Sequence, residues 1–296
     1  MVPVDLKQVY KMPEMKALLL NSAIGLEKEN IRVHEDGHFV KTPHPFGDKA
    51  KHPFITTDFA ECQVEIGTEV CSNPDQVYDQ LENLHDIVST TVSVENPEAE
   101  YLWPISNPPL ILSEPEIPVA VFRGESHDKQ VYREYLSQKY GKKIMLYCGI
   151  HYNFSFDERL IFRLHQLQGR ADDIQFIRSE IYLTMAKNCY LYSWFPVLLT
   201  AASPVFHESF MDAGEPVGGG RFLGFSSMRN SQYGYWNQKQ IILDYHSIDT
   251  YINSIVDTVR RGELYTSSEF YSPVRLKPAG KYLMKNLRRD GVNHIE

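Results

Sequence analysis

Several chemistries are excluded by what this sequence lacks. Its 296 residues include four cysteines, Cys62, Cys71, Cys148 and Cys189. None forms a C-x-x-C pair, and no nearby histidine spacing completes a zinc site. Buried free thiols in a reducing compartment are the expected state. There is no G-x-x-x-x-G-K-[ST] phosphate loop, and the run from Gly218 to Gly224 misses the dinucleotide spacing by one residue. A basic excess is also missing, since the formal net charge is −8. That argues against a nucleic-acid or membrane-surface binder, which needs a positive footprint. The opening MVPVDLKQVY has no apolar stretch behind a basic start, so it does not read as a signal peptide. The most apolar run, Trp194 to Phe206, is interrupted by Pro196 and Pro204 and is too short to span a bilayer. A soluble, cytoplasmic protein is expected.

What is present reads as one α+β domain over residues 1–296, rich in antiparallel strands. A helix is expected over 4–20 with an irregularity at Pro13, and strands over 24–33 and 59–66. Asn73 and Pro74 mark a helix start, followed by an apolar stripe of Val77, Leu81, Leu84 and Val88. A Pro-rich connection follows, then a helix near 128–140 closed by Gly141, and a strand over 143–156. A long helix over 173–200, bent at Pro196, precedes a Gly-rich loop over 212–224 and a helix capped by Ser247. Lys281 to Asp290 suits a helix, Gly291 its cap, and VNHIE (292–296) the opening of a strand. The expectation is therefore a C-terminally incomplete domain.

The chemistry concentrates on strand faces. In GLEKENIRV (25–33), Glu27 and Glu29 lie two apart and share a face that continues through Ile31 and Val33. In TTDFAECQVEI (56–66), Glu61, Gln63 and Glu65 share one face and Cys62, Val64 and Ile66 the other, with Asp58 before them at a bend. In the strand over 143–156, Ile144, Leu146, Cys148, Ile150, Tyr152 and Phe154 form an apolar face; Tyr147, His151 and Asn153 lie opposite. A solvated strand end or a structural histidine would give any one of these patterns. Together they offer several carboxylates and one imidazole, a set that suits magnesium or manganese better than zinc or copper. Clustered carboxylates repel one another, and a divalent cation relieves that repulsion.

The order of motifs resembles one family. GLEKENIRV, TPHP (42–45), HPFITTDFAE (52–61), LWPISNPP (102–109), YREYLSQKYGK (132–142) and GIHYNFS (149–155) are similar to those of the glutamate–cysteine ligases. NCYLYSWFPVLLTAASPVF (188–206), SMRNSQYGYWN (227–237) and EFYSPVRLK (269–277) continue the match in the same order. The last two look most like the bifunctional bacterial type, in which a fused ATP-grasp module completes glutathione. The resemblance implies a glutamine-synthetase-like fold, a curved and mainly antiparallel sheet forming a funnel with helices outside. It implies magnesium or manganese at Glu27, Glu29, Asp58, Glu65, His151 and Glu296. It also implies glutamate held by Arg229, a cysteine pocket lined by Phe59, Tyr132, Tyr235 and Tyr271, and Arg133 and Arg275 near the phosphates of ATP. The sequence departs from the family at VEIGTEV (64–70), at Met145 to Cys148, and at its end, where the family motif continues past the glutamate.

The implied reaction joins the γ-carboxylate of L-glutamate to the amine of L-cysteine at the expense of ATP, the first step of glutathione synthesis. The 296-residue chain by itself is expected to be inactive or nearly so. Two alternatives use the same residues: a carboxylate-bridged metallohydrolase, and a truncated relative that binds metal or amino acid without turnover.

Overall fold

The computed structural model describes residues 9–95, 99–169, 173–211, 221–222, 224–231, 233–234 and 243–260. Helix α1 (Pro13–Leu20) falls within the expected opening helix, whose residues 4–8 lie outside the described residues. Pro13 sits at its opening position rather than inside a longer helix, because a ring without an N–H is tolerated there.

Strand β1 (Ala23–Val33) is the axis of the sheet. Along one edge it pairs antiparallel with β3 (Gln63–Gly67), which in turn pairs with the two-residue β2 (Ile55–Thr56). Along the other edge it pairs antiparallel with β5 (Ile150–Ser155) and, further on, with β4 (Tyr101–Leu102). The sheet is antiparallel throughout and the architecture is α+β, as the sequence implies.

Helix α2 (Pro74–Thr90) starts where Asn73 and Pro74 place it, with the Asn73 side chain accepting the Gln76 N–H at 3.0 Å. It covers one face of the sheet: Val88 packs with Val64, Ile66 and Ile55, and Val77 with Ile24 and Cys71. The opposite face of β1 runs into the main core, where Ile31 and Val33 meet Phe59, Leu146, Tyr147, Cys148 and Phe206. Fully buried Arg32 is paired with Glu100 at 2.6 Å and donates to the Glu61 carbonyl at 3.0 Å, tying β1 to its surroundings.

Helix α3 (His127–Tyr140) ends at Gly141, whose φ of 82° places it where side chains are disfavoured. The next stretch corrects the sequence reading. Instead of a strand over 143–156, Ile144–Leu146 forms a 3₁₀ turn, and the strand proper begins at Ile150. Leu146, Tyr147 and Cys148 are all buried, because this run passes through the core and has no solvent face to alternate with. Ile150 and Tyr152, expected on an apolar face, are exposed.

After α4 (Glu158–Gln168), the expected long helix proves to be two: α5 (Ile174–Leu191) and α6 (Trp194–Thr200). The break falls at Tyr192 and Ser193, so that Pro196 lies in the first turn of α6, where it costs no hydrogen bond. Two-residue strands β6 (Val205–Phe206) and β7 (Arg221–Phe222) pair with each other, and α7 (Ile248–Arg260) follows Ser247, whose hydroxyl accepts the Thr250 N–H at 3.2 Å. The rest of the Gly-rich loop lies outside the described residues. Among the described residues no helix is long and apolar enough to cross a membrane. Cys62, Cys71 and Cys148 are buried free thiols as expected, whereas Cys189 is exposed near the end of α5.

Candidate active site

Register alone brings four of the expected side chains to one face. In an antiparallel pair, directly opposed residues point the same way. Glu29 on β1 stands opposite Glu65 on β3, and Glu27 stands opposite His151 on β5. The strip between them belongs to β1, which is hydrogen-bonded on both sides, so the backbone under the two glutamates is held firmly. Asp58 reaches the same area from the turn between β2 and β3, close enough for the charge of Glu29 to act on it.

Glu29 is the buried centre of this arrangement. Its Oε2 accepts the Gly149 N–H at 2.7 Å and lies 3.5 Å from the Arg229 guanidinium, while Oε1 lies 3.3 Å from His151 Nε2. The contacts from Arg229 and His151 lack hydrogen-bond geometry, leaving Arg229 Nη1 and His151 Nε2 buried without a hydrogen-bond partner. Glu27 accepts from Asn153 Nδ2 at 3.0 Å. Gly149 makes room for the assembly: a Cβ there would fall 2.5 Å from Arg229 Nη1 and 3.1 Å from His151 Nε2. Gly234 plays the same part for the Arg229 backbone, whose carbonyl occupies the place a Cβ would need.

The electrostatics are those of crowded acids. Burial, and then the charges of Asp58, Glu29 and Glu27, push Glu65 up to about 7. Burial and Glu29 push Asp58 up to about 6, against the opposing pull of Arg133, Arg229 and His151. The His151 imidazole is raised, first by its approach to Glu29. This oxygen-rich, under-neutralised set with an unpartnered imidazole nitrogen fits a hard divalent cation. Among the described residues no three of these groups enclose a single point as they stand.

The other expected residues fall in different places. Arg133 on α3 stacks its guanidinium 4.6 Å from the Phe122 ring centre. It donates from Nε to the Asp58 carbonyl and from Nη2 to the Thr57 carbonyl at 3.2 Å. Phe59 is fully buried in the main core, and Tyr132 is exposed on α3. Tyr235, Tyr271, Arg275 and Glu296 lie outside the described residues. Glu61, expected on the face with Glu65, turns away from it. The strand starts only at Gln63, and the Glu61 carboxylate is taken by Lys49 and by the N–H groups of His44 and Val121 at 2.9 Å. Sequence reasoning also missed Asn153 and Gly149 as site residues, although Asn153 shares the His151 face by simple alternation.

A sequence model of the glutamate-cysteine ligase family matches residues 6–265. The chain belongs to that family. It is 39% identical over 300 aligned residues to the glutathione biosynthesis bifunctional protein GshAB of Clostridium perfringens, covering 98% of this chain and 38% of that protein. It is similar in structure to a bifunctional glutathione synthetase from Pasteurella multocida, with a TM-score of 0.76 and 34% identity over 97% of this chain and 36% of the other. A glutamate–cysteine ligase from Francisella tularensis, solved in complex with AMP, matches with a TM-score of 0.69 and 27% identity over 83% of this chain and 51% of the other. The chain thus spans under two fifths of the length of the bifunctional relatives it resembles.

Proposed function

We propose that this chain is the ligase part of a glutathione-synthesising protein, joining the γ-carboxylate of L-glutamate to the amine of L-cysteine with ATP. The observation that carries the reading is the convergence of Glu27, Glu29, Glu65 and His151 on one sheet face beside Asp58 and Arg229. In this reading Glu27, Glu29, Asp58, Glu65 and His151 hold magnesium or manganese, and Glu296 adds a further ligand. Bound metal supplies neutralisation of charge on the phosphates of ATP.

The protein's own residues supply orientation. Arg229 presents a planar fork suited to a glutamate carboxylate, which would then share the guanidinium with Glu29. Arg133 places a positive charge at the edge of the acidic face, and Arg275 a second near the phosphates. Phe59, Tyr132, Tyr235 and Tyr271 form the surroundings of the cysteine, Phe59 from behind the Asp58 turn. Phosphoryl transfer to the γ-carboxylate gives an acyl phosphate; attack by the cysteine amine on its carbonyl carbon expels phosphate and forms the amide. No enzyme nucleophile is required. The sheet is read as the wall of a glutamine-synthetase-like funnel in a single domain over 1–296, working in the cytoplasm beside a fused ATP-grasp module.

The test is an ADP-release assay of the protein with ATP and magnesium, with glutamate and cysteine added singly and together. Release that needs both amino acids, with a γ-glutamyl–cysteine product by mass spectrometry, supports the ligase. Release that ignores both points to a hydrolase, and intact metal binding without release by the full-length protein points to a non-catalytic relative.

A further inference from the structure

Asp58 sits not on a strand but in a turn, so something must hold it at a fixed distance from the strand-borne acids. The turn is stitched from inside by one side chain. Gln63, the first residue of β3, is fully buried and lies on the same face as Glu65. Its Oε1 accepts the N–H groups of Phe59 at 3.0 Å and Ala60 at 2.7 Å, the two residues directly after Asp58. Two N–H donors on one atom identify that atom as the oxygen, so the amide nitrogen points the other way. There it reaches the Met145 carbonyl at 3.4 Å and the Cys148 sulfur at 3.9 Å. Cys148 is followed at once by Gly149, which donates to Glu29, and by the strand carrying His151. A single glutamine amide therefore bridges the turn that presents Asp58 and the segment that leads into His151.

We propose that Gln63 is a positioning residue for the divalent-cation site, setting the span between Asp58 and the Glu29–His151 pair. The inference rests on the metal reading of this face. An apolar side chain would leave two buried N–H groups without an acceptor, and a carboxylate would lose the donor and add a charge beside Asp58 and Glu65. Thr57 supports the same turn from its other side, its hydroxyl lying 2.6 Å from the Ala60 carbonyl and 2.8 Å from that of Gln63. It fastens the turn to itself, whereas Gln63 ties the turn to the 145–148 segment.

The experiment is a titration with Mn²⁺, free ion being read by its electron paramagnetic resonance signal, on the parent protein, Gln63→Met, Glu29→Gln and Val77→Ala. Gln63→Met is expected to weaken Mn²⁺ binding by about tenfold, the lower end of the effect of removing an outer support of a metal ligand. Val77, buried on the sheet-facing side of α2 against Ile24 and Cys71, serves as the stability control. Val77→Ala should lower the melting temperature and leave the affinity alone. If Gln63→Met does not fold, Gln63→Asn keeps an interior amide that is one methylene too short for the bridge and should show the same loss. Binding reduced by Glu29→Gln but unchanged by the Gln63 variants overturns the inference and spares the metal reading. Binding unchanged in all of them overturns both.

Discussion

Gly149 is a residue whose missing side chain makes room for the site. The tip of Arg229 fills the space where its Cβ would stand, at 2.5 Å, so Gly149→Ala must push the guanidinium aside. Because that tip is the end of a flexible chain, folding should suffer little. Turnover is expected to fall roughly tenfold to a hundredfold through misplaced substrate, measured as kcat/KM beside an unchanged melting curve. Arg229→Lys should raise the KM for glutamate far more than that for ATP, since an ammonium cannot copy the two parallel bonds of the fork. Equal effects on both substrates in steady-state assays would remove Arg229 from the glutamate site. His44 offers a test by pH. Burial lowers its imidazole from 6.5 to about 4, and its Nε2 lies 2.9 Å from the Thr56 carbonyl. The unfolded chain therefore binds the extra proton first as pH falls, and stability is lost between about 6.5 and 4. Urea unfolding should show His44→Gln losing less than the parent over that window, the difference being on the order of 3 kcal/mol. That Glu27 shares a face with Glu29, and His151 with Asn153, was legible from alternation, because a strand's period of two fixes which side chains share a face. The joining of these faces with Glu65 in one site came from the family resemblance. The place of Glu61 was not legible. The same alternation put it with Glu65, but the chain turns at 57–61 and the carboxylate meets Lys49, a partner distant in sequence.

At the scale of elements, local signals were read well where a cap or a glycine writes them. Asn73, Gly141 and Ser247 each close or open a helix in the expected place. Asn73→Ala removes an acceptor for the Gln76 N–H and should cost about 1 kcal/mol in thermal or urea unfolding, with catalysis untouched. The segment 143–149 was misread for a physical reason. Its run of apolar residues is compatible with a buried strand or with any path through a core, and periodicity cannot separate them. The break between α5 and α6 was likewise placed too late, at Pro196 and not at Tyr192, since proline is as welcome in a first turn as it is disruptive in a middle one.

Taken as a whole, the molecule buries three of its four cysteines. Cys62 and Cys148 are buried with thiols pushed far above the reactive range by desolvation, while Cys189 is exposed. A thiol-specific reagent such as dithionitrobenzoate should therefore modify one site quickly in the native protein, and Cys189→Ser should abolish that phase. The pairing of β1 on both edges has a further consequence, in the currency of time. The amide protons of Glu27 and Lys28 lie in a strand flanked by β3 on one side and β5 on the other. Such protons trade with solvent deuterium only when the sheet itself opens, so they should be among the last to exchange. Mild denaturant would then release turns and helix ends before the strand-borne Glu27, Glu29, Glu65 and His151 lose their spacing. The cluster would dissolve late and all at once.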